Sequence, residues 1–225
     1  MNALLKYLTS SIGKKQITAI TGLFLILYVI LHLVGNLLIL KGPDVFNGYA
    51  KALQSLRPFL NVIELGLFLI FAVHVCFTCL VVLENMQARQ VGYTVSRSVG
   101  EHALSTRLMP YTGTFLFLFI VWHLLDFTFV DHDGPRAMVN GINLHLYGLV
   151  YNSFRNLLHS TAYILAMGCV GFHLAHGIQS FFQTFGIVHV RYTLAIKTIS
   201  NFLGIMIAFG FSFIPVWVLL DSMKK

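Results

Sequence analysis

The sequence predicts an all-α integral membrane protein with five transmembrane helices, the first four forming a bundle and the fifth packed outside it. Three observations carry this expectation. Of 225 residues, 57% are hydrophobic and 10% charged, with a mean hydropathy of +0.78, whereas soluble domains carry about 25% charged residues. Five apolar runs are long enough to cross a bilayer, which takes about 20 residues of helix rising about 1.5 Å each. The runs are continuous rather than alternating, which excludes barrel strands.

The spans fall near 17–40, 59–83, 108–130, 157–182 and 195–220, so that residues 1–225 read as a single membrane domain. Lys6, Lys14 and Lys15 precede the first run, which is too long for a signal-peptide core and is followed by no small-residue cleavage pattern; it is expected to stay as a membrane helix. Lys41-Gly42-Pro43-Asp44 stops it and Arg57-Pro58 opens the second. Pro110 is expected in the first turn of the third, where a missing N–H is tolerated. Asp131-His132-Asp133-Gly134-Pro135 ends that span. The longest connection, 131–156, has room only for a short surface helix.

The net charge of +7 does not point to nucleic acid, because the 15 Lys and Arg lie almost wholly between apolar runs. There they set topology and meet anionic membrane lipid. With the N-terminus inside, inner segments hold eight basic residues (Lys6, Lys14, Lys15, Arg89, Arg97, Arg107, Arg191, Lys197) and outer ones seven. The flanks of the first helix decide the near tie in favour of a cytoplasmic N-terminus and an outer C-terminus. Cys76, Cys79 and Cys169 all lie inside apolar runs, where a thiol behaves as a small hydrophobe. Leu80 stands where a haem-attachment C-x-x-C needs histidine.

Each of the first four spans carries a histidine well inside the run, namely His32, His74, His123 and His173, and the fifth carries none. An imidazole in hydrocarbon is costly unless it pairs, hydrogen-bonds or binds a metal. By helix rise, His32 and His123 each lie roughly 22 Å from the inner ends of their helices, and the oppositely running second and fourth helices put His74 and His173 roughly 14 Å above the inner surface. The residues sort into an outer pair and an inner pair.

Two imidazoles facing each other across a bundle can supply both axial positions of a haem iron, a centre suited to electron transfer. Two such pairs would form a two-step electron wire in an apolar bundle core that tunes the potentials. Gly22, Gly66, Gly113 and Gly168 would let flat rings approach, although helix packing explains them equally well. The competing readings are a non-haem metal site or a proton relay. A relay wants carboxylates among the histidines, and the spans hold few, Glu64 and Asp126 near the outer ends of the second and third.

Ser10-Ser11-Ile12-Gly13-Lys14-Lys15 leading into Thr21-Gly22-Leu23 and His32-Leu33-Val34-Gly35-Asn36 resembles the start of the single-chain, dihaem cytochrome b anchor of succinate:quinone oxidoreductases. So do Leu56-Arg57 with Glu64-Leu65-Gly66 and His74, then Arg107 with Thr112-Gly113 and Trp122-His123-Leu124, then Phe172-His173-Leu174-Ala175-His176-Gly177 with Phe182-Gln183. The ordered set covers nearly the whole chain.

The resemblance implies a bacterial cytoplasmic-membrane anchor for a flavoprotein and an iron–sulfur subunit of a succinate dehydrogenase or fumarate reductase, within a complex open to higher oligomers. Two haem b groups would carry electrons between the iron–sulfur clusters and quinone, with menaquinone the expected quinone and no dicarboxylate chemistry in this chain. Carried over by position, His32 and His123 would ligate the outer haem and His74 and His173 the inner one. His176, three residues after His173, is the rival ligand, and depth favours His173. Glu64 would exchange protons at an outer quinone site. His159 reads as a wetted interfacial residue, with a haem propionate or quinone contact as its other reading; Lys15, Arg97, Arg107 and Arg155 could pair with propionates. Some dihaem fumarate reductases carry a glutamate two residues before the fourth-helix ligand, linked to proton movement; here that residue is Gly171. The rival identities are the cytochrome b anchor of a membrane hydrogenase or formate dehydrogenase and a haem-free transporter or channel with histidine relays.

Overall fold

The chain is described by a computed structural model covering residues 2–88 and 104–224; Arg89 and Arg97, which figure in the topology and propionate expectations, lie outside the described residues. A short helix α1 (Ala3–Leu8) turns into α2 (Ser11–Leu37), whose start is fixed by Ser10 accepting a hydrogen bond from the Gly13 amide at 3.1 Å. The helix tightens into a 3₁₀ turn, Leu38–Lys41, and breaks at Gly42, whose φ of 99° disfavours a side chain. Helix α3 (Pro43–Gln54) then lies across the end of the bundle. Its Tyr49 ring rests over Gly35 of α2, so closely that a Cβ there would stand 2.7 Å from the hydroxyl.

Helices α4 (Phe59–Gln87), α5 (Leu104–Phe127), α7 (Leu157–Thr184) and α8 (Thr193–Ser222) complete a set of five helices long and apolar enough to span a membrane. The fold is therefore an all-α multi-pass membrane protein. Helix α2 packs between α4 and α7, and α7 between α2 and α5, while α8 lies along the outside of α7 and α2. Across the α4–α5 gap the Phe71 and Phe117 rings stack at 6.2 Å. Helix α8 approaches α7 by glycine-to-glycine contact, since a Cβ on Gly171 would stand 2.4 Å from the Gly204 carbonyl oxygen and one on Gly204 2.4 Å from that of Gly171.

Two expectations need correction. Pro110 is the seventh residue of α5 rather than part of its first turn, because the polar residues before the apolar run continue the helix back to Leu104. The connection after α5 is also more ordered than a short surface helix. It contains a two-stranded antiparallel hairpin, β1 (Met138–Val139) and β2 (Ile142–Asn143), and a helix α6 (His145–Arg155). Asn140 and Gly141 form the hairpin turn with φ of 51° and 80°, the positive values that a two-residue turn of this hand requires. Helix α6 is buried along Tyr147–Tyr151, and Asn47 of α3 clasps it by donating to the Leu144 carbonyl and accepting from the Tyr147 amide, both at 3.0 Å. Helices α3 and α6 and the hairpin thus cap one end of the bundle, the end shared by the C-termini of α2, α5 and α8.

Candidate functional site

Toward the capped end, His32 of α2 and His123 of α5 face each other with ring centroids 5.9 Å apart. Tyr28 stacks on His32 at 5.5 Å, and Phe211 reaches it from α8 at 5.8 Å. His123 is enclosed by Phe119, Phe127 and Tyr163. Its Nδ1 is buried without a hydrogen-bond partner. Asn36 donates to the His32 carbonyl at 2.8 Å, with its amide 3.4 Å from both ring nitrogens.

At the opposite level, His74 of α4 and His173 of α7 each reach across to a neighbouring helix. His74 crosses to α2, where its Nδ1 lies 3.1 Å from the Thr18 carbonyl and 3.1 Å from Thr21 Oγ1. His173 crosses to α5, where its Nδ1 lies 3.1 Å from Thr112 Oγ1. The next residue on each receiving helix is glycine. A Cβ on Gly22 would stand 3.2 Å from His74 Cε1, and one on Gly113 3.6 Å from His173 Cε1. Of the four glycines expected to admit flat rings, these two admit the imidazoles themselves, whereas Gly66 and Gly168 face open space within 4 Å. His176 stands about one helical turn beyond His173 on the same helix.

The donor set fits haem better than a bare ion. Among the described residues no three His, Cys, Asp or Glu side chains gather into a cluster able to hold a metal ion. A haem iron takes four ligands from its porphyrin and only two from protein, a number that the facing imidazoles of His32 and His123 supply. The orphaned His123 Nδ1 shows one of these rings already desolvated, a costly state unless the ring has a further task.

Glu64 stands apart from both pairs. It is half exposed on α4 and ion-paired with Arg57 at 3.1 Å, so its charge is compensated at the rim of the bundle rather than isolated in lipid. The carboxylate that is buried is Asp126, 8% exposed. It accepts from Arg136 at 2.8 Å and from the Tyr163 hydroxyl at 3.1 Å, and it has His159 Nε2 at 3.0 Å. Arg136 also donates to Ser153 at 2.9 Å. His159, with 17% of its side chain exposed, stacks on Tyr163 at 4.7 Å and is not the wetted residue expected. A cavity of about 600 Å³ opens beside it, lined by Trp122, Arg136, Asn152, Ser153, Asn156 and His159 among others. Sequence reasoning noted Asp126 and His159 separately and missed Arg136, Ser153 and Tyr163 as their partners. A carboxylate and a cation ten residues apart across a turn were the available signal.

Fold and site together define a multi-pass helical membrane protein with four intramembrane histidines, two of which, His32 and His123, face each other. The chain is similar to the succinate dehydrogenase cytochrome b558 subunit of Bacillus subtilis (strain 168), with 24% identity over 201 residues that cover 82% of this chain and 89% of that protein. This agrees with the resemblance carried by the sequence motifs. No protein-family model matches the chain, and no solved structure does.

Proposed function

We propose that the protein is the dihaem cytochrome b membrane anchor of a succinate dehydrogenase or fumarate reductase, passing electrons between an iron–sulfur subunit and membrane quinone. The observation that carries this reading is the pairing of histidines across the bundle, most directly the 5.9 Å approach of His32 to His123. The similarity to a succinate dehydrogenase cytochrome b subunit over most of both chains supports it.

In this reading His32 and His123 are the axial ligands of an outer haem, and His74 and His173 those of an inner one. Bound haem supplies one-electron chemistry at iron, and six-coordination leaves no open position for oxygen. The chain's own work is to hold two imidazoles at each level, to keep water from them with the aromatic wall around His123, and to present polar groups where quinone exchanges protons. The N-terminus and the ends of α4 and α7 face the cytoplasm, where the flavoprotein and iron–sulfur subunits dock. The capped end with α3, α6 and the C-terminus faces outward. Menaquinone is the quinone.

Glu64, paired with Arg57 at the outer rim, exchanges protons with quinone. A second location is favoured by the cavity beside His159, whose size lies within the roughly 300–1,000 Å³ of small-molecule sites and whose lining includes Arg136 and His159, two side chains that face Asp126. The compensating proton path of some fumarate reductases has no counterpart at Gly171, because the α8 backbone occupies the space a side chain would need.

The test is a dithionite-reduced minus oxidised spectrum with haem quantitation on the complex purified from its own membranes. Two b-type haems per chain, co-purifying with a flavoprotein and an iron–sulfur protein, are expected. Absence of reduced b-type bands would overturn the haem reading, and co-purification with a hydrogenase or formate dehydrogenase would reassign the anchor.

A further inference from the structure

Both inner histidines make the same contact with a neighbouring helix. His74 reaches from α4 to Thr21-Gly22 on α2, and His173 from α7 to Thr112-Gly113 on α5. In each case the ring lies beside a glycine, where a Cβ would crowd His74 at 3.2 Å and just touch His173 at 3.6 Å, and the threonine hydroxyl meets Nδ1.

The hydrogen-bond directions can be assigned. The Thr18 carbonyl is an acceptor only, so at 3.1 Å from His74 Nδ1 it requires that nitrogen to carry the proton. Thr21 spends its own hydroxyl proton on its helix, donating to the Ile17 carbonyl at 2.7 Å. Its lone pair therefore faces His74 Nδ1–H as a second acceptor. Thr112 has the same two kinds of partner, the Met109 carbonyl at 3.1 Å, which can take its proton, and His173 Nδ1 at 3.1 Å, to which its lone pair is then open. In His74 the proton therefore sits on Nδ1, which leaves the Nε2 lone pair free, and haem ligation by His173 through Nε2 would put its proton on Nδ1 in the same way. Among the described residues the outer pair lacks this device, since His123 Nδ1 has no hydrogen-bond partner there and the ring nitrogens of His32 have only the donor amide of Asn36.

We infer that Thr21 and Thr112 are positioning residues that fix the tautomer and orientation of His74 and His173 and raise their basicity toward the inner haem iron. An acceptor on the distal nitrogen of a ligating imidazole makes the ring a better electron donor, which favours ferric iron and lowers the midpoint potential. The inference rests on the dihaem reading above. It also assigns an asymmetry: His74 keeps the Thr18 carbonyl when Thr21 is lost, whereas among the described residues Thr112 is the only Nδ1 acceptor of His173.

The experiment is a redox titration of the purified complex, followed optically and by low-temperature EPR, on wild type, T21V, T112V and the rescue variants T21S and T112S. Valine keeps the shape and removes the hydroxyl; serine restores it. The expected result is an upward shift of the inner component's midpoint and a change in its EPR signal, larger in T112V than in T21V, with the outer component unmoved. Inner-haem affinity should fall by about 10- to 100-fold, the usual loss when a ligand's hydrogen-bond partner is removed, and serine should recover it. An inner component unchanged in both valine variants, or an outer one shifted equally, overturns the inference while leaving the dihaem reading intact. A wild-type complex without b-type haem overturns both.

Discussion

Replacing Gly171 with alanine tests the packing that holds the fifth span against the bundle. The new Cβ would stand 2.4 Å from the Gly204 carbonyl oxygen and 2.8 Å from the Ala208 Cβ, where ordinary contact begins near 3.4 Å. Backbone rather than a flexible side chain is in the way, so α7 and α8 must separate by about 1 Å along a shared glycine seam. Overpacking of this kind costs about 1–3 kcal/mol, and each kcal/mol lowers the melting temperature of a chain this size by about 2–4 °C. A loss of roughly 4–8 °C is expected for a central cost of about 2 kcal/mol. Thermal unfolding in detergent can be followed with a thiol-reactive dye on the free cysteines Cys76, Cys79 and Cys169. Gly48→Ala on α3, where nothing lies within 4 Å, is the control; it should hold or gain up to about 1 kcal/mol from helix propensity. A Gly171→Ala protein as stable as this control would refute the seam.

Two further outcomes follow from the charged groups at the capped end. Asp126→Asn removes the charge that Arg136 and His159 face, and because Arg136 is itself half exposed the loss should fall near the low end of the range for breaking a buried pair, about 3 kcal/mol, read as a lower unfolding temperature; an unchanged melt would show the network to be energetically idle. Glu64→Gln should abolish quinone turnover while both haem spectra persist, and His159→Gln should leave turnover near wild type; the opposite pattern moves proton exchange to the cavity lined by Trp122 and His159.

Much of the fold was legible because its strongest signals are local. Apolar run length gives the five spans directly, and Gly42 and Arg57-Pro58 mark their limits within a few residues. The histidine levels could be worked out from helix rise alone, because helices of alternating direction convert sequence number into depth. Tertiary information was harder to read. Tyr49 over Gly35 and the Asn47 clasp on α6 join segments distant in sequence, so the cap was mistaken for plain connection. The hairpin did carry a local signal in Asn140-Gly141, but its strands are too short to show alternation. Glu64 was read as a carboxylate near the outer end of the second span, and its ion pair with Arg57, two turns earlier, was not foreseen. The threonines beside the inner histidines were visible as a repeated Thr-Gly, and only the crossing of helices reveals what their hydroxyls touch.

The central claim is that four histidines hold two haems in an outer and an inner pair. The most direct measurement is a resolved redox titration of haem in single alanine variants of His32, His74, His123, His173 and His176. The account predicts that His32→Ala and His123→Ala lose one and the same component, that His74→Ala and His173→Ala lose the other, and that His176→Ala keeps both. Loss of a common component on replacing His32 and His74, or retention of both components in any of the four ligand variants, would contradict it.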